Sequence, residues 1–183
     1  MSPEYSQSSH EIPAQDKGQT ETSLRQTAGA RARWTAEVVD RLRTVAPEVL
    51  GRYPVDAAYI YGSVARGTPL PDSDVDIALL WDTPPAPYQR LLIELEIQAA
   101  LEDASGLARL DVHSLNDAPL NVRGAILAES MLLYCVDHDH RVTFEVNTRK
   151  RYFDFQPLAA RLRQRILARI REKGLRYGQT RNY

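Results

Sequence analysis

The spacing of apolar residues changes several times along the chain, and each change predicts an element. Residues 1 to about 30 hold almost no large apolar groups among Ser, Gln, Thr, Glu, Pro and Gly. Such a segment buries too little surface to offset its ordering entropy, so residues 1–33 are expected to form a disordered leader. From Thr35, the residues Val38, Val39, Leu42, Val45, Val49 and Leu50 recur at helical spacing, with Pro47 expected to break or kink the helix. Val55 to Tyr61 is rich in β-branched and aromatic residues and runs straight into Gly62-Ser63. This predicts a strand ending in a turn, followed by a helical turn through Val64 to Arg66. Asp74 to Trp81 predicts a second strand, whose period of two sets Asp74, Asp76, Ala78 and Leu80 on one face and Val75, Ile77 and Leu79 on the other.

After a Pro84-Pro85 turn, Tyr88, Leu91, Leu92, Leu95 and Ala99 form a helical stripe with Gly106 as the stop, and this helix is expected to pack on the sheet. Arg109 to Leu115 has strand composition, Ala118 to Ser130 reads as a helix and Met131 to Val136 as a further strand. Phe155, Leu158, Leu162, Ile166 and Ile170 then line one side of a long C-terminal helix whose other sides carry arginines. The order of elements predicts an α/β domain. The expected division is the leader, a core over 34–140 and a basic helical extension over 141–183.

Composition narrows the class. A chain of 183 residues that is 43% hydrophobic suits one core. Its longest apolar runs, Ile77 to Trp81 and Met131 to Val136, stop far short of the roughly 18 residues of a membrane helix. The N-terminus carries Glu4, Glu11 and Asp16 and lacks the apolar centre of a secretory signal, so a cytoplasmic location is expected. Cys135, the single cysteine, sits in an apolar run and is read as a buried inert thiol. The net charge of −1 conceals an asymmetry: residues 141–183 hold 12 basic and 3 acidic side chains, and the first 140 hold 11 and 21. The basic segment is compatible with an RNA surface, an acidic protein partner or a solvated helix face. Asp137-His138-Asp139-His140 has the residue types of a metal site but follows a strand as a polar cluster, and is read as an exposed loop.

The chemistry concentrates between residues 61 and 77, in Tyr-Gly-Ser-Val-Ala-Arg-Gly-Thr-Pro-Leu-Pro-Asp-Ser-Asp-Val-Asp-Ile. Gly62 permits a tight turn and close backbone approach, so that backbone amides and the Ser63 hydroxyl can donate to phosphate oxygens. Asp74 and Asp76, two apart on one strand face, offer the hard oxygen ligands that magnesium accepts alongside water and phosphate. No Gly-Lys-Ser or Gly-Lys-Thr follows the glycine, which argues against a Walker-type phosphate loop.

Gly62-Ser63 at a strand end, followed after ten residues by Asp74-Val75-Asp76 opening the next strand, resembles the signature of the DNA polymerase β nucleotidyltransferase superfamily. The resemblance covers roughly residues 35 to 140. It implies a nucleotidyltransferase fold, a small mixed β-sheet flanked by helices, here with a long C-terminal helix. It also implies a triphosphate substrate, ATP, two Mg2+ ions on Asp74 and Asp76, and a third carboxylate from a neighbouring strand. Asp111 is the best match for that carboxylate, as metal ligand or general base. Arg66 matches an Arg-Gly often seen after the turn, with phosphate or one of Asp72 and Asp74 as its partner. The layout, including Arg151 to Phe155 ahead of the last helix, looks like the minimal nucleotidyltransferase antitoxins (MntA-like). Those enzymes transfer AMP from ATP to a tyrosine of a cognate HEPN ribonuclease toxin. A small-molecule (antibiotic) nucleotidyltransferase and a binding-only antitoxin are the competing readings.

Overall fold

The computed structural model describes residues 17–70 and 72–173, with the side chains of 28–70 and 72–171. Helix α1 (Lys17–Leu50) is followed by β1 (Val55–Tyr61), the single turn α2 (Gly62–Ala65), β2 (Val75–Trp81) and α3 (Pro87–Ser105). Then come β3 (Leu110–Ser114), α4 (Leu120–Glu129), β4 (Met131–Cys135) and α5 (His138–Lys173). The four strands form one sheet in the order β3-β2-β1-β4. β1 is antiparallel to both β2 and β4, whereas β3 runs parallel to β2, so the sheet is mixed.

Both faces of the sheet are covered, which explains why β1 and β2 read as nearly continuous apolar runs. On one face Val75, Ile77, Leu79 and Trp81 of β2 join Ala58 and Ile60 of β1 and Val112 of β3, under Val38, Leu42 and Leu50 of α1 and Ile97 and Leu101 of α3. On the other, Ala57, Tyr59, Ala78 and Leu80 meet Leu115 and Leu127, with Phe144 of α5 packed against them. A bulge between Val55 and Ala57 accounts for Val55 lying with Ala58 rather than with Ala57.

Three sequence expectations are corrected. The first helix starts at Lys17, inside the segment expected as a leader; no proline lies between Pro13 and Pro47 to stop it, and residues 1–16 fall outside the described residues. Pro47 neither breaks nor ends the helix, which runs three residues further, to Leu50. Third, α3 packs on the sheet as expected, but not through the stripe that the spacing picks out: Tyr88, Leu91, Leu92 and Leu95 stand 49–74% exposed, and the neighbouring Ile93, Ile97, Ala100 and Leu101 take the inner position. The expected stop holds: Gly106 caps α3 at φ 65° and donates its N–H to Glu102 O. Among the described residues no helix is long and apolar enough to cross a membrane.

Candidate active site

β1 ends at Tyr61 and the chain turns at Gly62, whose φ of 71° lies in the left-handed region that glycine tolerates. Within α2 the Arg66 N–H donates to Gly62 O at 3.2 Å, and the Thr68 N–H donates to Ser63 O at 3.0 Å. These bonds fold the turn back over the end of the sheet. Asp76, the second residue of β2, pairs in register with Tyr61 on one side and with Asp111 of β3 on the other. Paired residues on adjacent strands project from the same face, so the Asp76 and Asp111 carboxylates are neighbours beside the turn.

Contact between Asp76 and the turn is close. A side chain added at Gly62 would overlap Asp76 Oδ2 and stand 3.0 Å from its Cγ. Gly62 is therefore required twice, for its backbone angle and for the space that the carboxylate occupies. Asp76 is half-buried, and burial raises its carboxyl pKa above the ordinary value; Asp111 and Asp74 add to the rise, against His113 and Arg66. Burial next to Asp76 and Asp111 likewise pushes the Tyr61 hydroxyl up to about 12.

Asp74 lies one residue before β2 and is more exposed, with Oδ1 3.2 Å from Arg109 Nε. Arg109 also reaches Asp72 at 3.5 Å and holds a φ of 66°, unusual for a residue with a side chain. Asp111 Oδ1 is 2.9 Å from His113 Nε2, its neighbour on the same strand face. Arg66 caps α2, and its guanidinium pairs at 3.2 Å with Glu129 at the end of α4 rather than with Asp72 or Asp74.

The structure thus gathers Gly62, Ser63, Asp74, Asp76 and Asp111 at one end of the central strands and sets Arg66 at the rim. Two participants escaped the sequence reading. Arg109 had a signal, its place two residues before Asp111 at the start of a strand parallel to β2, whereas Glu129 had none, being linked to Arg66 only through the fold. A third difference concerns 137–140. His138 to His140 form the first turn of α5 rather than a loop, and His140 is tied by Nδ1 to Asp56. Asp137 Oδ1 caps that turn by accepting from the His140 N–H at 2.8 Å.

Comparison with known proteins identifies this fold. A chain of the toxin-antitoxin structure with AMP-PNP superposes with a TM-score of 0.56 at 20% identity, covering 68% of this chain and 98% of that one. A chain of the Shewanella oneidensis tri-AMPylated HEPN toxin in complex with MNT antitoxin gives 0.53 at 17%, covering 70% and 98%. The toxin-antitoxin MntA-HepT gives 0.52 at 17%, covering 69% and 97%. At these identities the likeness shows the fold. No curated protein matches the chain. The profile described as polymerase beta, nucleotidyltransferase matches residues 47–139, just over half of the chain and all four strands. With the Gly-Ser turn seated on Asp76 inside that span, the chain belongs to the polymerase beta nucleotidyltransferase family.

Proposed function

We propose that this protein is a magnesium-dependent protein adenylyltransferase that moves AMP from ATP to a tyrosine hydroxyl of a HEPN-type ribonuclease toxin, and so acts as a cytoplasmic antitoxin. The observation that carries the reading is the seating of the Asp76 carboxylate against the Gly62 turn, in register with Asp111. The solved structures of similar fold support the choice of nucleotide and acceptor: one contains AMP-PNP and another an AMPylated HEPN toxin with its antitoxin. This chain spans nearly the full length of both matched chains.

The residues present fit a divalent cation. Burial, and then Asp111 and Asp74 beside it, raise the Asp76 pKa, and an oxygen-only donor set of this charge is what magnesium takes. Asp74, Asp76 and Asp111 would hold the ions. Bound there, magnesium supplies charge neutralisation for the triphosphate and for the charge that develops as the α-phosphorus is attacked. The Gly62 turn and the Ser63 hydroxyl donate hydrogen bonds to phosphate oxygens, and Arg66, exposed at the rim, can turn from Glu129 to the phosphates. Asp111 takes the proton of the attacking tyrosine oxygen. The new bond forms between that oxygen and the α-phosphorus, and the bond to pyrophosphate breaks as the leaving group departs opposite it. These roles require positioning more than covalent participation by the protein.

Mass spectrometry of the partner after co-expression tests this. The expected result is the addition of one or more AMP units to a partner tyrosine, lost with Asp74→Asn plus Asp76→Asn. An unmodified partner in a stable complex, still neutralised by the double variant, would instead make the protein a binding-only antitoxin.

A further inference from the structure

At the opposite end of the sheet lies a second set of metal-type ligands. Asp56 occupies the bulge at the start of β1, Asp82 directly follows β2, and His140 sits in the first turn of α5. Each offers one ligand atom, and those atoms all lie within 4.8 Å of one another. It is the one such group among the described residues, and the aspartates beside Gly62 are not gathered as tightly. Backbone contacts fix each position: the Val136 N–H donates to Asp56 O at 2.7 Å, the Asp82 N–H donates to Pro54 O at 3.3 Å, and Asp137 caps the turn that carries His140. The bulge aims the Asp56 side chain inward, leaving it 13% exposed, while Asp82 stays open to solvent. Tyr61 lies five residue steps along β1 from Asp56, about 17 Å, so this cluster is distinct from the candidate active site.

We propose that Asp56, Asp82 and His140 form a divalent metal site of the zinc class, which ties the start of α5 to the two central strands. The donor set decides the ion. Two carboxylates and a neutral imidazole carry a charge of −2, matching a divalent cation. The imidazole nitrogen favours zinc and its neighbours over magnesium or calcium, which take oxygen ligands. Three protein ligands from three separate elements, one of them at the surface, leave the fourth position to water. His140 Nδ1 lies directly against Asp56, so two of the three ligands already meet across the elements that carry them. This inference does not depend on the transferase reading.

The test uses the full chain carrying Asp74→Asn and Asp76→Asn, which silences the other carboxylate site. It is titrated with ZnCl2 by calorimetry and with CoCl2 by visible absorption. The site predicts one equivalent of zinc, cobalt d–d bands that zinc abolishes, and a zinc-dependent rise in Tm. Asp82→Asn, an exposed change that leaves the fold alone, and His140→Gln should each weaken zinc at least about 10-fold, since loss of a mere outer-shell partner typically costs that much. Absence of a zinc equivalent in the silenced chain, or undiminished affinity in either further variant, overturns the proposal and leaves His140 and Asp56 as an ion pair only.

Discussion

Replacing Gly62 with alanine separates two demands that the turn places on one residue. The backbone at φ 71° costs a residue with a Cβ about 1–2 kcal/mol. The same Cβ would overlap Asp76 Oδ2 and stand 3.0 Å from Cγ. Ordinary carbon contacts settle at about 3.5–4.0 Å, so the carboxylate must withdraw by on the order of 1 Å. A displacement of that size in a positioned catalytic group can lower the rate roughly 100-fold. Gly67 provides the control, because its φ is 69° and nothing lies within 4 Å of an added Cβ. The shared backbone term should cost Gly67→Ala a Tm drop of about 2–8 °C at roughly 2–4 °C per kcal/mol for a chain of this size, and Gly62→Ala, which also displaces Asp76, at least as much. AMP transfer to the partner, measured with ATP labelled in the α-phosphate, should fall about 100-fold in Gly62→Ala and stay near wild type in Gly67→Ala. Equal activity in the two variants would refute the claim that Gly62 is kept for Asp76.

Other consequences can be measured alongside. The fold raises the Asp76 carboxyl pKa, so it favours the protonated form and loses stability as pH rises through that pKa. Without metal, Asp76→Asn should accordingly melt higher than wild type at pH 7 while lacking transferase activity, and the difference in Tm should vanish well below the ordinary carboxylate pKa of about 4. Ile97→Ala should cost about 2–5 kcal/mol by denaturant unfolding, because Ile97 is fully buried against the sheet. Leu92→Lys, on the exposed stripe of the same helix, should change stability by no more than about 0.5 kcal/mol. At Gly124 an added Cβ would overlap the Tyr152 ring and stand 2.7 Å from its Cβ. Gly124→Ala should thus loosen α4 from α5 at a cost of about 1–3 kcal/mol, read as faster amide exchange across 144–152.

Much of this arrangement was legible in local sequence. The Gly62-Ser63 turn, the alternation from Asp74 to Trp81 and the Gly106 stop each depend on a residue and its near neighbours, and the structure places all three where their chemistry predicted. Helix α3 packs on the sheet, but spacing does not identify its inner stripe because the helix is apolar on two sides. Tyr88, Leu91, Leu92 and Leu95 form one stripe and Ile93, Ile97, Ala100 and Leu101 another, and spacing alone cannot say which faces the sheet. Burial on the second side also takes in Glu94, which shares that face with the partly buried Arg90, 3.8 Å away. The pairing of Arg66 with Glu129 and the meeting of Asp56, Asp82 and His140 join residues 26 to 84 positions apart. Such contacts follow from strand order and helix placement, which no local pattern encodes. The early start of α1 is a different case, since its first turns lack the apolar stripe from which helices are recognised.

Transfer requires the aspartates at 74, 76 and 111 to hold a divalent ion against the triphosphate beside the Gly62-Ser63 turn. Crystals grown with Mn2+ and a non-hydrolysable ATP analogue test that most directly, through anomalous scattering. Manganese peaks are expected between these carboxylates and the nucleotide phosphates, with the phosphates within hydrogen-bond reach of Ser63. A nucleotide bound elsewhere, or no manganese at these carboxylates while the nucleotide is present, would contradict it.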